Sequence, residues 1–216
     1  MKKIIKQLLP ILLILSMLAG CGSPQNEAAI PDSGEPPCML RFAGMDDYFS
    51  FAASARLPDA EFAKYVQNDP NYSSNGINSK EDVLRLVEAV ESAPFPVINE
   101  KVETSLIIYL ESNWLDVVCF TPGSEEYFCR FMINMTAGSG NQTLRATKKN
   151  NSNLTKIAAE DSMTELYGDN AESMDKTYYV ASVDGKAVRI WVNDGATSQT
   201  DKLLPGLQFV SIKDLE

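Results

Sequence analysis

Histidine is absent from all 216 residues, and that absence excludes more chemistry than any motif supplies. Ser-His-Asp triads and Cys-His pairs need an imidazole as general base. Catalytic zinc sites likewise rely on imidazole, alone or mixed with Glu or Cys. Cysteine is scarce as well. The four cysteines, at 21, 38, 119 and 129, never fall at CxxC spacing, so neither a thioredoxin-like motif nor a zinc ribbon is written here. For catalysis this leaves a carboxylate pair, a Ser-Lys dyad or an oxygen-ligated metal. The chain carries 29 Asp and Glu residues, so a carboxylate pair can be drawn almost anywhere and none is singled out. Basic residues number only 19, for a formal net charge of −10. That balance disfavours nucleic acid, whose binding depends on Lys and Arg neutralising phosphates, and disfavours adhesion to anionic lipid. No cofactor or metal fingerprint is present.

What is present begins at the N-terminus. Met1-Lys2-Lys3 and Lys6 precede an apolar run from Leu8 to Leu18, interrupted early by Pro10, and small residues follow. The run is short of the roughly 20 residues that cross a bilayer, and no later run reaches that length. Positive start, short apolar stretch and small residues make the layout of a secretory signal. Leu18-Ala19-Gly20-Cys21 resembles the lipobox of bacterial lipoproteins. The resemblance implies that residues 1–20 are removed and that Cys21 is diacylated and becomes the first residue. Losing residues 1–20 takes three lysines and no acid, leaving 196 residues and a formal charge of −13. Two acyl chains hold a protein at a membrane where one gives only marginal binding. The expected place is therefore the extracytoplasmic face of the cell membrane, reached through lipid on Cys21. Gly22 to Pro37 is Ser-, Pro-, Gln- and Glu-bearing with one large apolar residue, Ile30, too polar to order itself. It reads as a tether over residues 21–37, ahead of a single domain over 38–216.

Within that domain the clearest helix is Ser79 to Ser92. Asn78 or Ser79 is placed to cap, with Glu81 or Asp82 three residues on, Val83, Leu84, Val87 and Val90 share a face, and Pro94 and Pro96 block continuation. Leu57-Pro58-Asp59 reads as an earlier helix entry, with Phe62, Tyr65 and Val66 as its stripe and Asn68-Asp69-Pro70-Asn71 as its end. Met39 to Phe51, rich in aromatics, reads as one or two strands. Val102 to Glu111 alternates with period two, and Leu115–Cys119 and Tyr127–Ile133 add two strands. Residues 177–192 form a hairpin about Asp184-Gly185, and Leu207 to Ile212 a closing strand. Asp161 to Tyr167 reads as a short helix. Ala137 to Asn153 reads as a long polar loop in which Gly138-Ser139-Gly140 is only a fragment of a phosphate cradle. A helix followed by antiparallel strands gives an α+β fold: five to seven strands with one main helix on a face. That order is similar to cystatin-like or NTF2-like architectures.

Three sets of side chains stand out. If the hairpin is centred on Ser124, Cys119 and Cys129 face one another and share a side with Val117 and Phe131. They form a candidate cross-strand disulfide, permitted in an exported protein; two buried thiols acting as small apolar groups are the alternative. Trp114, Trp191 and Tyr178, with Tyr109 and Tyr179, lie on or beside strands. Exposed together they are candidates for ligand stacking or an interaction patch; buried, they are ordinary core. Asp169 to Asp175 is an acidic loop without the EF-hand order, and a solvated loop is its simplest reading.

Tyr178-Tyr179-Val180 followed by Arg189-Ile190-Trp191-Val192-Asn193-Asp194-Gly195 resembles the C-terminal ends of lipid-anchored lipoproteins of Gram-positive bacteria that lack a settled activity. The resemblance covers about a fifth of the chain and carries no functional residue across. The expectation is a non-catalytic binding or interaction module that meets a protein partner or a glycan. A sensory or regulatory domain for a membrane partner, and a small carboxylate-dependent hydrolase, are the alternatives.

Overall fold

The computed structural model describes residues 38–98, 102–124, 127–150, 154–158, 162–170, 176–193 and 204–215. The signal segment, Cys21, the tether, residues 171–175 of the acidic loop and Asp194-Gly195 lie outside the described residues. In chain order the strands are β1 (Met39–Phe42), β2 (Pro94–Val97), β3 (Glu103–Tyr109), β4 (Trp114–Phe120), β5 (Tyr127–Asn134), β6 (Thr155–Ile157), β7 (Met163–Asn170), β8 (Lys176–Val183), β9 (Lys186–Asn193) and β10 (Gln208–Ser211). The helices are α1 (Met45–Ser54), α2 (Asp59–Asn68), α3 (Pro70–Ser74), α4 (Lys80–Glu91) and α5 (Ser139–Asn150).

The α+β class is as expected, and the sheet is larger than expected. Eight strands run in the order β1-β3-β4-β5-β9-β8-β7-β6, every neighbour antiparallel. The segment expected to close the sheet does not join it. β10 pairs instead with β2 in a separate ribbon, where Pro94 and Pro96, lacking amide hydrogens, are tolerated at a ribbon's edge. Met39–Phe51 splits into one strand and a helix, because Tyr48, Phe51 and Ser54 recur every three residues and are the buried face of α1. The aromatic density was a helical stripe. Of the stretch expected helical, residues 163–167 belong to β7, where Leu166 and Tyr167 are buried on alternate sides.

The polar stretch Ala137–Asn153 is mostly α5, not a loop. Its apolar content is so low because Leu144 alone carries its large buried contact, against Tyr167 and Val180. Gly140 has no room for a side chain: a Cβ there would stand 2.1 Å from Ser182 Oγ and 2.9 Å from the Lys186 carbonyl. The Gly140 amide donates to the Gly185 carbonyl at 3.0 Å, and Ser139 Oγ accepts from the Ala187 amide at 3.0 Å. The start of α5 is thus fastened to the β8–β9 turn, and the Gly140 amide is directed at protein, not at a phosphate. That turn has Asp184 at φ 50° and Gly185 at φ 75°, the left-handed pair that suits a two-residue hairpin.

On its inner side the sheet packs one continuous core. Leu40, Leu106, Ile108, Leu115, Val117, Phe131, Ile133, Val188 and Ile190 from the sheet meet Phe51 of α1, Val83 and Val90 of α4, and Phe95 of the ribbon. Each large side chain buried this way contributes about 1.5–3 kcal/mol. On α4 the packed residues are Val83, Leu86, Val87, Ala89 and Val90, whereas Leu84 is 55% exposed. The helix has the expected capping box: Ser79 Oγ accepts from the Asp82 amide at 3.1 Å, and Asp82 Oδ2 accepts from the Ser79 amide at 3.0 Å. Burial lifts the Asp82 carboxyl, but hydrogen bonds from Ser79 and the backbone amides of Asn78 and Ser79, with Arg85 nearby, outweigh it and hold the group below its usual value. Its stabilisation is therefore present above the unfolded carboxylate range and is lost as pH falls through the lower folded value. We expect Ser79→Ala to lower the unfolding free energy by about 1 kcal/mol at pH 7, measured by urea titration, and by less at pH 3. At the far end of α4, Lys186 donates to the Ser92 carbonyl, a cation at the negative pole of the helix. Burial lowers the pKa of that lysine.

Candidate functional site

Strand alternation fixes what the outer side of the sheet presents. With Cys119, Phe131 and Ile190 turned inward, Trp114, Asp116, Arg130, Met132, Arg189, Trp191 and Tyr178 all face outward. Helix α5 packs on the β8–β9 part of this side. Over β4, β5 and β9, Trp114, Arg130, Met132, Arg189 and Trp191 remain half-exposed.

Asp116 anchors the group. It is 0% exposed, and Arg130 Nε donates to its two oxygens at 2.9 and 2.8 Å while Nη2 stands 2.6 Å from Oδ2. The guanidinium also reaches the Tyr109 hydroxyl at 3.4 Å. Burial lifts the Asp116 carboxyl above its usual range even with Arg130 and Arg41 beside it. Burial also opposes the charge on Arg130, but the paired carboxylate outweighs it and holds that group above its usual value. The carboxylate needs the guanidinium more than the reverse, because Arg130 keeps 31% of its side-chain exposure and Asp116 keeps none.

The aromatic rings sit on this frame. Tyr178 and Trp191 are register partners on β8 and β9, with ring centroids 5.1 Å apart and tilted by 47°. The Arg130 guanidinium carbon lies 5.9 Å from the Trp191 ring centre, a cation–π distance. Trp114 is separate. It carries its own arginine, Arg189, whose guanidinium carbon lies 4.8 Å from its ring centre.

No family model, curated protein or solved structure matches this chain.

Of the three stacking candidates, then, two meet and the third stands apart. Trp114 pairs with Asn134 and Trp191 with Arg130, on opposite sides of Met132. From strand spacing and rise, their Cα atoms are about 17 Å apart. Tyr179 belongs to the inner core, whereas Tyr109 joins the outer group through Arg130. Asp116, Arg130 and Arg189 were not foreseen, although the first two are the only charged residues inside the apolar strands Trp114–Phe120 and Tyr127–Asn134. The Ser124-centred pairing makes them diagonal neighbours, which was the signal available.

The two strand cysteines behave as their spacing implied. Cys119 and Cys129 are direct register partners, both 0% exposed. The ladder shifts by one residue just beyond them, so Phe120 meets Tyr127 and not Phe128. Cys38 is half-buried, with its sulfur 3.7 Å from the Asn75 carbonyl oxygen. Among the described residues, no group of three or more Cys, Asp or Glu side chains stands together as a metal site, and no helix is long and apolar enough to cross a membrane.

Proposed function

We propose that this chain is a non-catalytic binding module, held outside the cell at the membrane by lipid on Cys21, and that the outer side of its sheet takes a protein partner or a glycan. The observation that carries the reading is the Tyr178–Trp191–Arg130 cluster, half-exposed, with its arginine braced by the buried Asp116. Aromatic and arginine side chains on a rigid support are the residues that dominate binding energy at interfaces. Asp116 itself is enclosed and held by two of Arg130's nitrogens, which suits a brace and not a general base presented to substrate. The Cα atoms of Trp191 and Trp114 stand about 17 Å apart, the span of about five residues of extended peptide, which favours a polymer segment as the ligand.

Surface crosslinking on intact cells with the tagged full-length protein, followed by mass spectrometry, tests the protein partner. Glycan binding by the purified protein tests the other. Trp191→Ala is expected to weaken whichever interaction is found by at least about tenfold, with the unfolding transition little changed. Crosslinks and glycan binding unaffected by both Trp191→Ala and Trp114→Ala would remove the outer face from the proposal.

A further inference from the structure

We propose that Cys119 and Cys129 are a disulfide-forming pair that closes while the chain folds, by exchange with a disulfide-bearing oxidant, across the two strands that carry Asp116 and Arg130. The geometry is that of direct register partners on β4 and β5. Opposed residues in an antiparallel pair have Cα atoms about 4.5–5.5 Å apart, within the span of about 4.4–6.8 Å that disulfides bridge. Both side chains point inward and are 0% exposed. In the structure both are free cysteines.

Cys38 does not compete. Its carbonyl accepts from the Leu110 amide, whereas Cys119 pairs with Thr104. Six residues of strand separate those positions, about 20 Å at the rise of a strand, far beyond bridging distance.

The exchange balances as two displacements. One cysteine thiolate attacks the oxidant's disulfide and forms a mixed disulfide, releasing one oxidant thiol. The second thiolate then displaces the oxidant's other sulfur. The pair loses two protons and two electrons, and the oxidant leaves as two thiols. Burial raises the Cys129 thiol far above its usual range, so in the folded reduced protein Cys129 offers almost no thiolate to react, and the full enclosure of both side chains bars the oxidant. Closure therefore belongs to the interval before β4 and β5 join the core. Once made, the bridge is sheltered from reductants by the same enclosure. It ties the ends of β4 and β5 beside the Asp116–Arg130 brace, and closing so short a loop shifts the unfolding equilibrium roughly a hundredfold toward the folded state.

The inference rests on the export reading only for its supply of oxidant. The test therefore has two arms. Full-length protein is taken from cells by acid quench, alkylated in denaturant without reductant, and mapped by mass spectrometry at Cys21, Cys38, Cys119 and Cys129. Separately, the reduced, denatured chain is refolded in a glutathione redox buffer and mapped in the same way. The expected result in both arms is alkylated Cys38 and a joined Cys119–Cys129 peptide. Dithiothreitol should open that bridge far faster in denaturant than in native buffer. Alkylated Cys119 and Cys129 after glutathione refolding, or a bridge to Cys38, overturn the pairing whatever Cys21 carries. Bridged refolded protein beside unlipidated, reduced protein from cells supports the pairing and removes the export reading.

Discussion

Replacing Arg130 with methionine should cost about 3–5 kcal/mol of stability at neutral pH, the loss that follows when one partner of a buried pair is removed. The reason is asymmetric. Asp116 has no exposure of its own, so without Arg130 its charge is left with Arg41 on β1, two strands away. Its carboxyl already sits above the usual range because of burial, and losing the guanidinium lifts it further. A carboxyl whose folded pKa is raised contributes stability below the unfolded value and loses it as pH rises through the folded value. Urea unfolding should therefore find the variant's deficit smaller at pH 5 than at pH 7. Adding Asp116→Leu should recover most of the loss, since apolar groups of similar volume often replace a buried pair without penalty. A deficit below about 1 kcal/mol at pH 7 for Arg130→Met alone would mean that the carboxyl does not depend on its partner, which contradicts the burial argument.

Gly140→Ala should be nearly as damaging. The new methyl would lie 2.1 Å from Ser182 Oγ, 2.8 Å from Ser182 Cβ and 2.9 Å from the Lys186 carbonyl oxygen. The first two belong to a fully buried side chain and the third to backbone, so the start of α5 must lift from the β8–β9 turn. Overpacking of this kind costs about 3 kcal/mol at its upper range, a fall in melting temperature of roughly 6–12 °C for a domain of this size. Adding Ser182→Gly should restore part of the loss and not all of it, because the clash with the Lys186 carbonyl remains. An unchanged melting temperature for Gly140→Ala would show that α5 is not held where the contact requires.

Local chemistry was legible in the sequence wherever a residue decides its own neighbourhood. A capping box was legible to within one residue, as Asn78 with Glu81 or Ser79 with Asp82, because both partners lie within one turn, and the structure selects the second pair. Asp184-Gly185 announces a hairpin, and the Cys119–Cys129 register follows from it being possible to count outward from a turn. What escaped depended on residues far apart in the chain. Helix α5 is polar along most of its length, and its place is set by Ser182 and Lys186, some 40 residues later, which admit only glycine at position 140. The ribbon of β2 with β10 joins residues 94–97 to 208–211, a pairing that no local pattern encodes. The outer cluster was half legible. Its rings were visible as aromatics on strands, but the brace that orients them appears only once β4 lies beside β5 and β5 beside β9.

The strand order also divides the sheet by how its neighbours are reached. β3-β4-β5 and β6-β7-β8-β9 are two meanders, each made of sequential neighbours, and they meet at β5 and β9, where Cys129–Ile133 pair with Val188–Val192. Joining that seam requires closing a loop of more than fifty residues, a slower event than forming either meander. Synthesis from the N-terminus completes the first meander while β9 does not yet exist, leaving the long apolar edge of β5 without a partner. An unpaired strand edge is a template for association with other chains. The seam that finally unites the sheet is thus also a hazard during assembly, and β5, the strand that carries Cys129, bears it.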